Sequence, residues 1–165
     1  MVIIMKFAII YYSLGGNTRR IANMIKDKIS ADIFEIETKT PYTGTYNQIV
    51  NQGQDEVDSG FCPEIKKLNI DLSKYDTVFL GSPVWWYTFA PAMHSFLNKY
   101  DLSGKKIFPF ATNGGWLGHT LKDFSSMCFG ANVEKGIDIR FDESIHNGHQ
   151  DKAYPKSLKL NLALF

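Results

Sequence analysis

The sequence predicts an α/β fold in which helices cover both faces of a doubly wound, five-stranded parallel sheet. Short apolar segments of strand length alternate along the chain with segments of helical periodicity. Connections of helix length are also what neighbouring parallel strands require. The chain has 165 residues, of which 44% are hydrophobic. This length suits one domain with a substantial core, which we assign to residues 1–165.

Charge and cysteine content narrow the classes of function. The formal net charge is +1 and the basic residues are scattered, so nucleic-acid binding is not indicated. Cys62 and Cys128 lack metal-binding spacing, which favours two buried thiols in a reducing environment over a metal site or a disulfide. No segment approaches the roughly 20 apolar residues of a membrane span. We therefore expect a soluble, cytoplasmic protein with no metal site.

The first element is a strand that ends in a glycine turn and opens a helix. Residues 7–12 are apolar, and we extend the strand back over residues 1–6, which lack the basic start and cleavage site of a signal peptide. Residues 21–29 carry apolar side chains at helical spacing. The turn offers main-chain N–H groups, glycines and polar side chains at a helix N-terminus, where a phosphate is favoured. Its residues are Ser13, Leu14, Gly15, Gly16, Asn17 and Thr18.

This turn differs from two common phosphate motifs. It has no Walker-loop lysine, so hydrolysis of a Mg-nucleotide is not indicated. It also lacks the G-x-G-x-x-G fingerprint of dinucleotide-binding folds. The alternative interpretation is an ordinary capped Gly-Gly turn that binds no ligand.

The middle of the chain is predicted from alternating and helical patterns. Residues 32–37 alternate polar and apolar side chains, as in a second strand near a sheet edge. Residues 38–69 are punctuated by proline and glycine, and we predict a long connection with at most a helical turn or two. Residues 75–81 form a buried third strand, and residues 81–87 form an aromatic loop. The next helix begins near Pro91, where proline fits the first turn.

The same order of elements occurs once more. Residues 106–111 are predicted to form the fourth strand and residues 112–117 a loop, with a helix over residues 121–127. Residues 133–139 form the fifth strand. Residues 141–165 show no helical pattern, because their leucines alternate with period two. We expect this segment to be irregular or extended.

The loops that follow the third and fourth strands contain all three tryptophans of the chain. Carboxyl ends of parallel strands meet at one edge of the sheet, where such folds bind ligands. Stacking on a planar ring contributes about 0.5–1.5 kcal/mol per pair, so we expect a flat aromatic ligand there. Any single tryptophan could equally cover the core. The candidate residues are Ser82, Pro83, Val84, Trp85, Trp86, Thr112, Asn113, Gly114, Gly115 and Trp116.

Catalytic side chains are not evident in the sequence. No Ser/His/Asp arrangement or pair of carboxylates is recognisable. His94 and His119 lie near the predicted ligand edge, and we interpret them as packed or solvated residues. The candidate site is therefore a binding site without a catalytic acid or base.

Three motifs together resemble the FMN-binding loops of the flavodoxin family. They are S-L-G-G-N-T at residues 13–18, G-S-P-V-W-W at 81–86 and T-N-G-G at 112–115. The resemblance extends in register from about residue 6 to residue 139. It implies the strand order 2-1-3-4-5, with a ligand crevice between strands one and three.

The resemblance also implies where FMN would bind. The first loop would hold the phosphate, residues 83–86 would flank the isoalloxazine, and residues 112–116 would approach its pyrimidine edge. Two features differ from the family. Gly15 stands where a hydroxyl residue is common, and this nearly neutral chain contrasts with the acidic flavodoxins that act as electron shuttles.

This resemblance implies a redox flavoprotein whose electron chemistry belongs to FMN. We expect an electron-transfer protein that serves redox partner proteins, because the sequence has no second dinucleotide motif and no evident arginine pair for a nicotinamide phosphate. The alternative is an FMN-dependent NAD(P)H:quinone-type oxidoreductase with a nicotinamide or quinone substrate. A binding module without flavin is the third hypothesis. The sequence leaves the oligomeric state open.

Overall fold

A computed structural model describes residues 4–141 of the chain. Seven strands and four helices form within this range. In chain order they are β1 (Phe7–Tyr11), α1 (Asn17–Ile29), β2 (Asp32–Glu35), α2 (Tyr46–Ser59), β3 (Thr77–Trp85), β4 (Thr88–Phe89), α3 (Pro91–Lys99), β5 (Lys106–Asn113), α4 (Thr120–Met127), β6 (Asn132–Val133) and β7 (Ile137–Arg140). None of the four helices is long and apolar enough to cross a membrane.

The central strands are parallel and lie in the order β2-β1-β3-β5, with β6 and β7 both pairing with the outer side of β5. Because β5 is the predicted fourth strand and β6 and β7 are two parts of the fifth, the predicted fold and strand order are confirmed. The fifth strand is interrupted beside Pro109. The oxygen of Ile107 accepts from Glu134 on this side, and Pro109, two residues on, has no N–H to continue the ladder.

Helices pack on both faces of the sheet because neighbouring strand residues point to opposite faces. Ile9 and Phe79 pack under α1, whereas Ile10 and Leu80, the next residue in each strand, pack under α3 and α4. All four side chains are at most 1% exposed. The two apolar clusters therefore hold the central strands rigidly and position the loops at their ends.

The connection predicted over residues 38–69 contains a full helix, so the prediction of a turn or two was wrong. Helix α2 has 14 residues. It begins in a capping box in which Thr45 accepts from the Gln48 N–H and Gln48 accepts from the Thr45 N–H, and it ends at Gly60 with φ of 68°. Only Gly53 and Glu56 of this helix are buried, which explains why its sequence has no marked apolar pattern.

The aromatic loop predicted over residues 81–87 is largely a hairpin. Strand β3 continues to Trp85 and pairs with the antiparallel β4, so that Val84 lies opposite Phe89. At the other end of the chain, β1 begins at Phe7, and Ile4 and Met5 precede it as exposed residues rather than strand. Predictions for residues 1–3 and 142–165 lie outside the described residues.

Candidate functional site

The turns that follow β1, β3 and β5 meet at the carboxyl edge of the sheet. The Tyr12 N–H donates to the Gly81 oxygen at 3.0 Å, which holds the start of the first turn beside β3. The hydroxyl oxygens of Thr18 and Thr112 lie 2.8 Å apart, which joins the first turn to the end of β5. The predicted site residues are therefore brought to one edge, as the register of parallel strands requires.

The turn after β1 presents donors without protein acceptors. Gly15 and Gly16 have φ values of 80° and 97°, a left-handed conformation that favours glycine. Helix α1 has no side-chain N-cap. Among the described residues, the N–H groups of Asn17 and Thr18 have no hydrogen-bond acceptor. These groups are available to an anion at the positive end of the helix dipole.

Ser13 supports the same turn with its side chain. Its Oγ accepts a hydrogen bond from the Arg19 N–H at 3.2 Å. The hydroxyl can still donate its own hydrogen, and the residue is only half-buried. Arg19 itself is paired with Glu35 through bonds of 2.6 and 3.2 Å. Main-chain and hydroxyl donors, rather than this guanidinium, are therefore the groups that the turn offers.

Thr18 and Thr112 form a buried pair of hydroxyls, 1% and 3% exposed. One hydroxyl donates to the other, so the pair retains one hydroxyl hydrogen. The sequence indicated Thr18 as a direct phosphate donor. Its position shows that its hydroxyl also connects two loops.

Ser82 is used inside the protein. Its side chain is fully buried, accepts from the Ala90 N–H at 2.9 Å and donates to the Pro83 oxygen at 2.8 Å. Both contacts shape the β3–β4 hairpin. Pro83 and Val84 are half-buried beside it. The Ser82 hydroxyl thus fixes the hairpin and has no further hydrogen to donate.

The three tryptophans have different environments. Trp85 is half-buried between Tyr42 and Tyr12, with edge-to-face ring distances of 5.0 and 5.9 Å. The Trp86 indole N–H donates to the Val50 oxygen of α2 at 3.0 Å, and the residue is 36% exposed. Trp116 is 71% exposed. Of the three, Trp116 offers the largest free surface to a planar ligand, whereas Trp85 and Trp86 also anchor α2.

A strained two-residue turn closes the hairpin. Trp86 and Tyr87 have φ values of 49° and 71°, where bulky residues are rare and each costs about 1–3 kcal/mol. The His119 N–H donates to the Tyr87 oxygen at 2.8 Å. Gly118 lies so close that a Cβ there would be 2.4 Å from the same oxygen. The loop after β5 therefore holds this turn in place.

The loop after β5 is shaped by side-chain hydrogen bonds. The Asn113 Oδ1 accepts from the Gly115 N–H at 2.8 Å, and its Nδ2 donates to Asp138 Oδ1 at 2.6 Å. Gly115 has φ of 133°, and Gly114 is exposed. The main chain of this loop can consequently approach a ligand without an intervening Cβ.

Buried acidic and phenolic groups lie behind Trp85. The Tyr42 hydroxyl donates to Glu56 at 2.5 Å, and the Gln52 amide donates to the same carboxylate at 3.1 Å. Burial raises the pKa of Tyr42, and Glu56 raises it further. Burial and the Glu56 charge likewise raise the pKa of Tyr12. These tyrosines therefore stay neutral at physiological pH and act as hydrogen-bond donors or packing groups.

The histidines and cysteines among the described residues have separate environments. Across residues 4–141, no three histidine, cysteine or acidic side chains converge as metal ligands. His119 contacts Asp123 through Nδ1 on the surface, and His94 packs edge-on against Phe89. Cys128 is buried as predicted, whereas Cys62 is only partly buried.

We compared the chain with models of known protein families. The model of the family described as Flavodoxin matches residues 6–147. The chain belongs to the flavodoxin family. A comparison with curated protein sequences finds no match.

Solved structures of flavoproteins share the fold. A Bacteroides eggerthii DSM 20697 protein that is considered a flavoprotein is 28% identical, with a TM-score of 0.75 over 83% of this chain and 90% of that chain. A flavoprotein from Lactobacillus acidophilus NCFM, solved in complex with FMN, is 26% identical, with a TM-score of 0.71 over 86% and 95% of the two chains. Flavodoxin 2 from Bacillus cereus is 22% identical over 88% and 91%, with a TM-score of 0.53, and shows the fold alone.

Sequence reasoning missed several residues around this flavodoxin-family site. Tyr42 and Glu56, which lie behind Trp85, belong to a segment predicted to be irregular. The T-x-x-Q motif at residues 45–48 was the signal that could have found helix α2. Asp138, which holds Asn113, has no local sequence signal, because the contact is made between two strands.

Proposed function

We propose that this flavodoxin-family protein binds FMN at the carboxyl edge of its sheet and transfers electrons between redox partners. The observation that carries the proposal is the donor set after β1. The N–H groups of Asn17 and Thr18 and the Ser13 hydroxyl have hydrogens to donate, and two left-handed glycines open the turn. Such a set fits a phosphate dianion. The relative from Lactobacillus acidophilus, solved with FMN, supports the same ligand.

The residues at this edge divide into three groups by what they could hold. Residues 13–18 would bind the phosphate, largely through main-chain N–H groups, since Gly15 has no hydroxyl. Residues 83–86 and Trp116 would flank the isoalloxazine, with Trp116 the most exposed of them. The main chain of residues 112–115 would meet the pyrimidine edge. The side chains of Ser82 and Asn113 would act indirectly, because their hydrogen bonds lie within the protein.

When bound, FMN would supply the chemistry, since its ring accepts and returns one or two electrons. The chain would orient the ring and limit its contact with water. Tyr87 and Trp116 are 52% and 71% exposed, so this edge opens to solvent. An exposed edge favours electron exchange with protein partners. No acid or base among the described residues is needed for that exchange.

Titration of the flavin-free protein tests the proposal. We expect binding near one to one, with quenched tryptophan fluorescence and a perturbed visible flavin band. FMN should bind at least about tenfold more tightly than riboflavin, because charge-assisted hydrogen bonds contribute roughly 1.5–3 kcal/mol each. Absence of both spectral changes at micromolar concentrations would contradict FMN binding. Equal affinities for the two flavins would remove the phosphate role from residues 13–18.

A serine substitution localises the phosphate. We expect Ser13→Ala to reduce FMN affinity by about tenfold or more while changing riboflavin affinity little, since only FMN carries the anion. Ser126→Ala is the matched control, because Ser126 is an exposed helical serine whose hydroxyl donates to the Lys122 oxygen. A similar loss for both flavins in Ser13→Ala would indicate damage to the turn rather than a lost phosphate contact.

The near-neutral charge favours a second candidate, an FMN-dependent NAD(P)H:quinone-type oxidoreductase. With a net charge of +1, the chain lacks the excess of acidic residues that steers basic protein partners. Anaerobic stopped-flow mixing of the FMN form with NADH or NADPH, with and without a quinone, separates the two functions. Electron transfer predicts slow bleaching and at most a single turnover. Rapid bleaching followed by many quinone turnovers would establish the reductase instead.

A further inference from the structure

Asp138 is the second residue of β7, and its side chain reaches Asn113 at the end of β5. In the β5–β7 register, Asp138 is opposite Ala111 and Arg140 is opposite Asn113. Asp138 Oδ1 accepts from the Asn113 amide at 2.6 Å, and Arg140 Nε donates to Asp138 Oδ2 at 3.2 Å. The carboxylate is thus held from one side by Arg140 while it holds Asn113 on the other.

This contact decides which way the Asn113 amide faces. Because the amide nitrogen is directed to Asp138, the amide oxygen is directed to the Gly115 N–H, at 2.8 Å. In the reverse orientation, the amide oxygen would face the Asp138 carboxylate and the amide nitrogen would face the Gly115 N–H, so neither hydrogen bond could form. The Phe141 N–H also donates to the main-chain oxygen of Asn113 at 2.9 Å, so the main chain of Asn113 is fixed as well. The carboxylate therefore determines the conformation of residues 113–115.

We infer that Asp138 is a positioning residue that holds residues 113–115 in the conformation that receives the ring edge of the flavin. The inference rests on the proposed function for its ligand, although the contact itself lies entirely within the protein. Asp138 would act through residues 113–115, which we assign to the flavin ring rather than to the phosphate. Its loss should consequently weaken FMN and riboflavin by the same factor.

An exchange of the two side chains tests the contact. In Asn113→Asp, two carboxylates face each other and should lower the affinity for both flavins by about tenfold or more. In Asn113→Asp combined with Asp138→Asn, the new amide can donate to the new carboxylate, whose other oxygen still accepts from Gly115. We expect this double variant to bind both flavins within about threefold of the parent protein. Asp138→Ala, which removes the acceptor, should lose affinity as Asn113→Asp does.

Hydrogen exchange at the Gly115 amide supplies a readout that needs no flavin. It should accelerate in Asn113→Asp and Asp138→Ala and return toward the parent rate in the double variant. Asp101→Asn is the matched control, because Asp101 accepts from the Ser103 N–H in a similar turn away from this edge. Thermal unfolding of every variant checks that the fold persists.

The outcomes separate the inference from the proposed function. If the parent protein binds no flavin, the proposed function fails, and the exchange rates still decide whether Asp138 holds the loop. If the parent binds FMN but Asp138→Ala and Asn113→Asp leave affinity and exchange unchanged, or if the double variant does not recover, Asp138 is not a positioning residue. A change confined to FMN would also overturn the inference, because it would place the effect at the phosphate.

Discussion

At the residue scale, polar side chains at the carboxyl edge bond mainly to other groups of the protein. The Thr18–Thr112 pair joins two loops, Ser82 fixes the hairpin, and Asn113 fixes its own loop. Such contacts keep a binding edge in shape before a ligand arrives, which reduces the entropy cost of binding. The donors left over for a ligand are then mostly main-chain groups.

The threonine pair yields a prediction about stability. Thr18→Val should lower the free energy of unfolding by about 1–3 kcal/mol, because it leaves a buried hydroxyl at Thr112 with one partner fewer. Thr112→Val should behave similarly. The double valine variant should lose less stability than the sum of the two single losses, because it contains no hydroxyl that is buried without a partner. Chemical denaturation measures all three, and strictly additive losses would contradict the contact.

Tyr11 yields a prediction about alkaline pH. Its hydroxyl donates to Glu35 at 3.1 Å, and burial, followed by the Glu35 charge, raises its pKa to about 12. A raised pKa means that the folded state favours the neutral phenol. The associated stability is therefore complete below pH 10 and is lost as the pH rises from about 10 to 12, by an amount on the order of 2 kcal/mol.

Denaturation of the parent protein and of Tyr11→Phe at pH 9 and pH 12 tests whether Tyr11 causes a loss of stability as the pH rises. The variant lacks the titrating group, so it should lose less stability over this interval, whatever its stability at pH 9. Absorbance at 295 nm follows the ionisation directly. Equal losses in the two proteins would show that Tyr11 titrates normally.

At the element scale, two consecutive tryptophans connect α2 to the candidate site. Trp85 is the last residue of β3, and Trp86 is the first residue of the hairpin turn. Trp86 bonds to the Val50 oxygen, and the Trp85 ring lies against Gly53, where a Cβ would be 3.1 Å from the ring. A glycine inside a helix costs about 1 kcal/mol relative to alanine. Close packing on Trp85 is the structural reason for its presence here.

Removing the Trp85 ring should therefore loosen α2. We expect Trp85→Ala to lower the free energy of unfolding by about 2–4 kcal/mol and to accelerate amide hydrogen exchange over Tyr46–Ser59. Trp116→Ala is the control, because the exposed Trp116 should change stability by less than about 0.5 kcal/mol. Unchanged exchange in α2 after Trp85→Ala would show that this helix is held by other contacts.

At the scale of the whole molecule, nearly equal numbers of acidic and basic residues limit long-range attraction. The chain has 18 lysine and arginine residues against 17 aspartate and glutamate residues. Docking with a redox partner would depend on short-range contacts at the exposed aromatic edge rather than on steering by net charge.

The salt dependence of the electron-exchange rate measures how much long-range charge attraction contributes to docking. With the FMN form reduced and a basic cytochrome c as acceptor, we expect the second-order rate to change by less than about threefold between 0.01 and 0.3 M ionic strength. A strongly acidic flavodoxin under the same conditions provides the reference. A steep fall with salt would reveal a concentrated acidic patch that the net charge conceals.

Local patterns in the sequence determined the elements and their order. The apolar segments of β1, β3 and β5, the glycine turn before α1 and the proline that starts α3 are each encoded within a few residues. Parallel pairing then brings three strand ends to one edge, because right-handed crossovers through helices allow few strand arrangements. The site residues could therefore be proposed from the sequence.

Contacts between distant segments were decided only by the tertiary structure. The assignment of α2 failed because its stability comes from a capping box and from Trp85 and Trp86 rather than from an apolar stripe. The division of β6 from β7 depends on Pro109 in the neighbouring strand. Roles of side chains depend on the same long-range contacts, since Thr18 meets Thr112 and Asn113 meets Asp138 only after the sheet has formed.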